Sequence, residues 1–388
     1  MIRKLTNYIQ HVALWIDDIP MLSMDFTARV LEDKARQMQV PWLVRRYLRF
    51  AVTTAVDTPK AFIPYLPGTF AKCEPGSGTV IQAKVTSLYN SAVQLDRKVS
   101  LNGQQVDNIP YKYLVIATGT KLTPPSSLPG SGKLEGVDYL RKHAQQVVKS
   151  SAIVLIGGGA VGVQTATDIK ELYPEKSVTL VHSRQNVMNK FNQELHDIIK
   201  ERFNDLGINL KLGSRVKVPA EGYPTDGSNF NVELEDGSSI PADFAIICTG
   251  QIPQSSLLQS LSPESIDKNG FIRTLKTLQI SNAKYPNIFA IGDVADTGAH
   301  KAARPGAKQA ELVAKNIQHL QNQEPLEDYD ATDPPAIHLT LGITKNVVFG
   351  NPQPGSTNPM IKHRDDGSLD MNIDAVWTRR GGGPNSML

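Results

Sequence analysis

Ile153-Val154-Leu155-Ile156 is a compact apolar run that enters Gly157-Gly158-Gly159-Ala160-Val161-Gly162 without a spacer, and Val163 to Leu172 continues at helical spacing. Buried strand, G-x-G-x-x-G and helix in succession make the turn that lays a dinucleotide pyrophosphate on a helix N-terminus. Unpaired N–H groups and the helix dipole favour negative charge there. Gly157, Gly159 and Gly162 are the candidate contacts. Val178-Thr179-Leu180-Val181 reads as the second strand of the βαβ unit, at the distance the motif requires. At its end, where a carboxylate would accept from the ribose 2′-OH of NAD, stands His182-Ser183-Arg184. An arginine fork and a hydroxyl suit a 2′-phosphate. NADPH is therefore favoured, or tolerance of both NADPH and NADH.

Other candidate positions lie at strand ends. Tyr113 to Gly119 and Phe244 to Gly250 both read as buried strands running into Thr-Gly, which nominates Thr118, Gly119 and Gly250 and suggests two similar nucleotide-binding modules. Asn287 to Asp293 is a further strand ending in Gly292-Asp293. A carboxylate there can accept hydrogen bonds from the ribitol hydroxyls of a flavin, and the glycine permits close approach. Lys60, Lys301 and Arg304 are cations that could meet phosphates or a quinone. His143, His182, His196 and His338 show no metal spacing, so no metal centre is expected. Cys73 and Cys248 are the only cysteines. They exclude a disulfide framework and a local redox dithiol, so redox chemistry needs a bound cofactor and a reducing, intracellular compartment fits.

The elements that must position these groups read as follows. Residues 1 to about 50 look helical and charged. Ala61–Tyr65, Val80–Val85 and Ala92–Leu95 read as strands, and Thr120 to Lys133 as a linker. Gln193 to Leu206 reads as a helix stopped by Gly207, and Asp236-Gly237 as a hairpin turn. A helix is expected from Ala307 to Leu320. Ile337–Leu341, Asn346–Phe349 and Met371–Trp377 are strand candidates of a small C-terminal domain. The 388 residues suffice for two or three domains, and a net charge of +3 gives no basis for nucleic-acid binding. No stretch has the length of a transmembrane helix, which leaves peripheral membrane contact and oligomeric state open.

Ile153 to Lys170, the continuation Tyr173-Pro174-Glu175-Lys176 with Val178 to Ser183, and Phe289 to Asp296 together resemble the apoptosis-inducing-factor-like mitochondrion-associated oxidoreductases, the ferroptosis-suppressor-like group of the pyridine nucleotide-disulfide oxidoreductases. The resemblance runs from about Arg49 to about Ile317. It implies an α/β fold with two Rossmann-like domains, an FAD domain interrupted by an NAD(P)H domain, and a small α+β interface domain. The implied bounds are an atypical segment 1–48, an FAD-binding domain of 49–125 and 240–325, an NAD(P)H-binding domain of 126–239, and 326–388 for the interface domain. Hydride would pass from NAD(P)H through FAD to a quinone-like small acceptor, in the cytoplasm or at the mitochondrion. Arg49, Val80 and Asp293 match the family's FAD contacts, and Gln164 stands where relatives carry a glutamate facing the nicotinamide. Gln164 and Lys301 are the candidate catalytic residues.

One departure is plain. The family's N-terminal strand and its own glycine fingerprint for the FAD pyrophosphate are missing, since the first glycine in this sequence is Gly68. A flavin-free, non-catalytic NAD(P)H-binding derivative is the alternative expectation. A tailoring oxidoreductase of secondary metabolism on the same fold is another.

Overall fold

The computed structural model describes residues 14–15, 28–31, 48–62, 78–81, 83–101, 103–128 and 132–379. The chain forms two compact units. One comprises 1–39, 64–121 and 251–333, the other 40–63, 122–250 and 334–388.

The second unit is built on a four-stranded parallel sheet, in the order Asn209–Lys211, Ser177–Val181, Ala152–Ile156, Phe244–Ile247. The central strand Ala152–Ile156 is apolar along its whole length because both faces are covered. Ile153 and Leu155 look into a core shared with Val163, Ala166 and Ile169 of the helix Ala160–Leu172 and with Leu195, Ile199 and Phe203 of the helix Gln193–Leu206. Val154 and Ile156 face the opposite side, against Val232 and Leu234. The helix Gln193–Leu206 starts where the Asn192 side chain accepts the Glu194 N–H at 3.0 Å and stops at Gly207, whose φ of +68° is left-handed. The strands Ala336–Thr340, Lys345–Gly350 and Met360–Asp365 form an antiparallel sheet whose Leu339, Val347 and Phe349 join the same core.

The first unit holds the antiparallel meander Val85–Leu88, Ala92–Leu101 and Gln104–Pro110, and a parallel pair, Leu114–Ile116 with Ile288–Ala290. The helix Ala303–Asn322 packs Ala310, Val313 and Ile317 against Val115 and Phe289 of that pair. A further sheet runs in the order Leu14–Trp15, Ala28–Leu31, Gly78–Ile81.

The expected α/β class with Rossmann-like architecture is what the chain adopts. Several readings change. The first 50 residues, expected to be helical, contain the strands Leu14–Trp15 and Ala28–Leu31 and a 3-10 turn at Leu48–Ala51 among the described residues. Met371–Trp377 is not a strand: Ile373–Arg379 is a helix, with Ile373, Val376 and Trp377 on one face against Phe50 and Leu140. The linker Thr120 to Lys133 contains the strand Thr120–Leu122 and ends where the helix Lys133–Lys149 begins. Of the expected strand Ala61–Tyr65, Ala61 closes the 3-10 turn Thr58–Ala61, and residues 63–65 lie outside the described residues. Residues 49–62 and 334–379, expected with the flavin half and as a separate domain, group with the nicotinamide half. The cause is packing: Phe50, Ala51, Ala61 and Phe62 share one core with Val137, Leu140 and Trp377.

Candidate functional site: a dinucleotide cradle

The fingerprint turn is shaped by three different demands on its glycines. Gly157 takes φ +121° and donates its N–H to Val181 O at 2.8 Å; a Cβ there would meet Thr249 Cγ2 at 2.7 Å. Gly162 faces inward, and a Cβ on it would lie 1.9 Å from Gly157 O, so helix and strand can approach only without a side chain. Gly159 is the helix N-cap, with no side-chain cap and nothing within 4 Å of where its Cβ would be. An uncapped helix start beside open space is an anion cradle: the first N–H groups of Ala160–Leu172 have no intrahelical partner.

His182 closes one side of this cradle. Its Nδ1 accepts the Gly158 N–H at 3.0 Å, which places the ring proton on Nε2, a buried atom with no partner among the described residues. Burial holds the imidazole below its ordinary range, so it is neutral at pH 7. Ser183 and Arg184 are exposed beside it. The segment carries no carboxylate, and the donors left over are an Nε2–H, a hydroxyl and a guanidinium.

Gln164 lies in the second turn of the same helix, 8% exposed. Its Nε2 donates to Thr340 Oγ1 at 2.9 Å, while Oε1 has no partner among the described residues. Gly250 has φ +89° and follows Thr249, whose carbonyl accepts from Thr123 Oγ1 at 2.9 Å. Cys248 Sγ contacts Ile246 O, and burial pushes the thiol up to about 12, so no thiolate forms at pH 7.

Arg49 requires a correction. The guanidinium expected to meet FAD is 1% exposed, and all five of its N–H groups are directed inside the second unit. Nε and Nη2 donate to Asp168 at 3.2 and 2.8 Å, Nη2 to Gly342 O at 2.8 Å, and Nη1 to Ser368 O at 2.6 Å and Ile343 O at 3.5 Å. It has no donor left for a ligand. Burial pushes the Asp168 carboxyl up to about 6, with Arg49 pulling the other way, so the pair is ionised at pH 7.

In the other unit, Gly292 takes φ +70° with open space where a Cβ would be, and donates its N–H to Gln309 Oε1 at 2.7 Å. Asp293 is half-buried in the 3-10 turn Gly292–Val294, and its carboxylate accepts no hydrogen bond from the described residues. Gly306, in the first turn of Ala303–Asn322, packs on Gly292, and that helix also starts without a side-chain cap. Thr118 Oγ1 donates to Gln254 O at 2.5 Å, and Gly119 O accepts the Gln254 N–H at 2.9 Å. Lys301 folds onto Ala295 O and over the Phe271 ring at 4.6 Å. Val80 lies in the strand Gly78–Ile81, with its side chain outside the described residues. Lys60 pairs with Asp57 and Asp374. No cluster of metal-ligating side chains occurs among the described residues.

The family model for pyridine nucleotide-disulphide oxidoreductases matches residues 43–321. The chain belongs to this family. Within it, the chain is 36% identical over 286 residues to Fe-regulated protein 8 of Mycosarcoma maydis, covering 70% of this chain and 68% of that protein. It is 31% identical to the FAD-dependent oxidoreductase FVFD30 of Flammulina velutipes (71% and 82% covered) and 32% identical to mouse ferroptosis suppressor protein 1 (66% and 67%). Among solved structures, a ferredoxin reductase from Rhodopseudomonas palustris superposes with a TM-score of 0.56 at 19% identity, covering 88% of this chain and 91% of its own. At that identity the likeness shows the fold.

Pyridine nucleotide-disulphide oxidoreductases bind FAD and NAD(P)H, and the fit of each can be tested on these residues. The nicotinamide nucleotide fits, by the open Gly159 cradle and the unpartnered Nε2 of His182. The flavin fits at its ribitol end, by the open Gly292 and the unbonded Asp293 carboxylate. For the flavin pyrophosphate the described residues offer no second G-x-G-x-x-G turn between a strand and a helix. Despite the family's name, this chain has no cysteine pair at redox-dithiol spacing.

Proposed function

We propose that the protein is an FAD-dependent oxidoreductase that takes reducing equivalents from NADPH in preference to NADH and passes them to a quinone-like acceptor. The observation that carries the reading is the cradle of Gly157, Gly159 and Gly162 with donors only at the end of its second strand. The helix N-terminus would hold the pyrophosphate, and His182, Ser183 and Arg184 would hold a 2′-phosphate, where a carboxylate would repel it. Gln164 would meet the nicotinamide ring, presenting Oε1 as an uncharged acceptor. FAD, held at its ribitol by Gly292 and Asp293 beside Thr118 and Gly119, would supply the two-electron carrier. Gly250 would let the backbone turn beside the ligand, and Cys248, held as the thiol, would not react. The quinone-like acceptor and a mitochondrion-associated or cytoplasmic location are what the family resemblance implies, and the 32% identity to mouse ferroptosis suppressor protein 1 is in keeping with that resemblance. No described helix is long and apolar enough to cross a membrane.

A second reading has its own observation. With no second G-x-G-x-x-G turn among the described residues, the alternative is a chain that binds NADPH and holds no flavin, acting as a non-catalytic sensor. The visible spectrum of purified full chain separates the two: flavin bands near stoichiometry with NADPH oxidation support the enzyme, while NADPH binding to a colourless protein supports the sensor.

A further inference from the structure

We infer that Thr340 is a positioning residue for the nicotinamide carboxamide, acting through Gln164; the inference rests on the reading that NADPH occupies the fingerprint. Thr340 ends the strand Ala336–Thr340 of the C-terminal sheet, in the same unit as the fingerprint helix. Its hydroxyl accepts from Gln164 Nε2 at 2.9 Å. In this arrangement the Gln164 NH2 points to the sheet and its carbonyl faces away from it. With Nε2 tied to Thr340, Oε1 is the end presented, and it makes no other hydrogen bond among the described residues.

The sheet order tells which half of the ligand this serves. The adenylate end of a dinucleotide lies over the second strand, whose end carries His182, and the other nucleotide extends past the fingerprint strand Ala152–Ile156 on its far side. Gln164 is the one side-chain amide in the first two turns of the fingerprint helix. A carboxylate would act as an acceptor at either oxygen and need no such orientation. An amide can present either end, and with the Thr340 hydroxyl accepting from its NH2 the carbonyl is the end presented. The resulting specificity is for a ligand group with an N–H donor, the carboxamide NH2 of the nicotinamide, in preference to an analogue without one.

Thr340 itself stays in place through two supports. Its strand pairs in register with Lys345–Gly350, Thr340 opposite Asn346, and Leu339 beside it is fully buried. The turn that follows, Leu341 to Ile343, is held by Arg202 Nε on Leu341 O at 2.9 Å and by Arg49 on Gly342 O.

The test compares binding of three probes by calorimetry on the full chain: NADPH, its 3-acetylpyridine analogue, in which a methyl replaces the carboxamide NH2, and 2′-phospho-ADP-ribose, which ends before the nicotinamide. Wild type should bind NADPH about tenfold tighter than the acetylpyridine analogue, the worth of one hydrogen bond to an oriented acceptor. Thr340→Val, isosteric and β-branched in a strand, should reduce that ratio to about twofold or less on the same reasoning. Binding of 2′-phospho-ADP-ribose should not change, and Thr340→Ser should restore the ratio. An unchanged ratio in Thr340→Val, with NADPH still bound, overturns the inference alone. A wild type that binds none of the three overturns the reading beneath it as well.

Discussion

Arg49 and Asp168 form a bidentate ion pair, 2.8 and 3.2 Å, with both side chains almost wholly buried. It joins the 3-10 turn Leu48–Ala51 to the fingerprint helix, and through Gly342 and Ser368 to the C-terminal segment. Removing one partner leaves the other as an uncompensated buried charge. Arg49→Met or Asp168→Leu should each lower unfolding free energy by about 3–5 kcal/mol. The double variant Arg49→Met/Asp168→Leu should recover part of that loss. Urea denaturation of the three variants measures it, and an additive double-mutant cycle would show that the pair is not coupled.

Gly162 has no room for a side chain. Gly162→Val should push the fingerprint helix off its strand, because even the first added carbon would lie 1.9 Å from Gly157 O. The expected outcome is loss of NADPH binding with a lowered melting temperature. Gly159→Ala meets open space in the protein, so its melting temperature should hold while NADPH affinity falls. Calorimetry and thermal unfolding of the two variants, read together, separate a packing glycine from a ligand-facing one.

His143 makes the fold sensitive to acid. Its ring is buried, donates from Nδ1 to Ala51 O at 2.7 Å, and meets Phe244 edge-on at 5.2 Å. Burial lowers it from 6.5 to about 4. The unfolded chain therefore takes up a proton that the folded chain refuses. Stability is fully present above pH 6.5 and falls as pH drops towards 4, by about 3 kcal/mol over the whole window. His143→Gln keeps an N–H donor and removes the titration. Its urea midpoint should change less than wild type's between pH 7 and pH 5, and parallel declines would assign the acid sensitivity to other groups.

Much of the nicotinamide half was legible in the sequence because its signals are local. Apolar strand, glycine spacing and the second strand sit within about thirty residues, and Asn192 and Gly207 mark both ends of the helix Gln193–Leu206. The readings that failed depend on distant partners. Nothing local tells that Arg49 meets Asp168, 119 positions away, or that Gln164 meets Thr340, 176 positions away. Ile373, Val376 and Trp377 do have helical spacing, but the stretch is short and apolar enough to pass for a strand. Val137, Leu140, Ala144 and Val147 carried the same period for the helix Lys133–Lys149, a signal that a window scan would have found.

The proposed preference for NADPH rests on the donors at the end of the second strand, His182, Ser183 and Arg184. The most direct test is calorimetric titration of the full chain with NADPH and with NADH, repeated on Arg184→Ala and on Ser183→Asp. Wild type should bind NADPH at least about tenfold more tightly, the worth of one charge-assisted hydrogen bond. Arg184→Ala should erase the difference, and Ser183→Asp should reverse it. Equal affinities in the wild type, tighter binding of NADH, or an Arg184→Ala variant that keeps the full preference would contradict the claim.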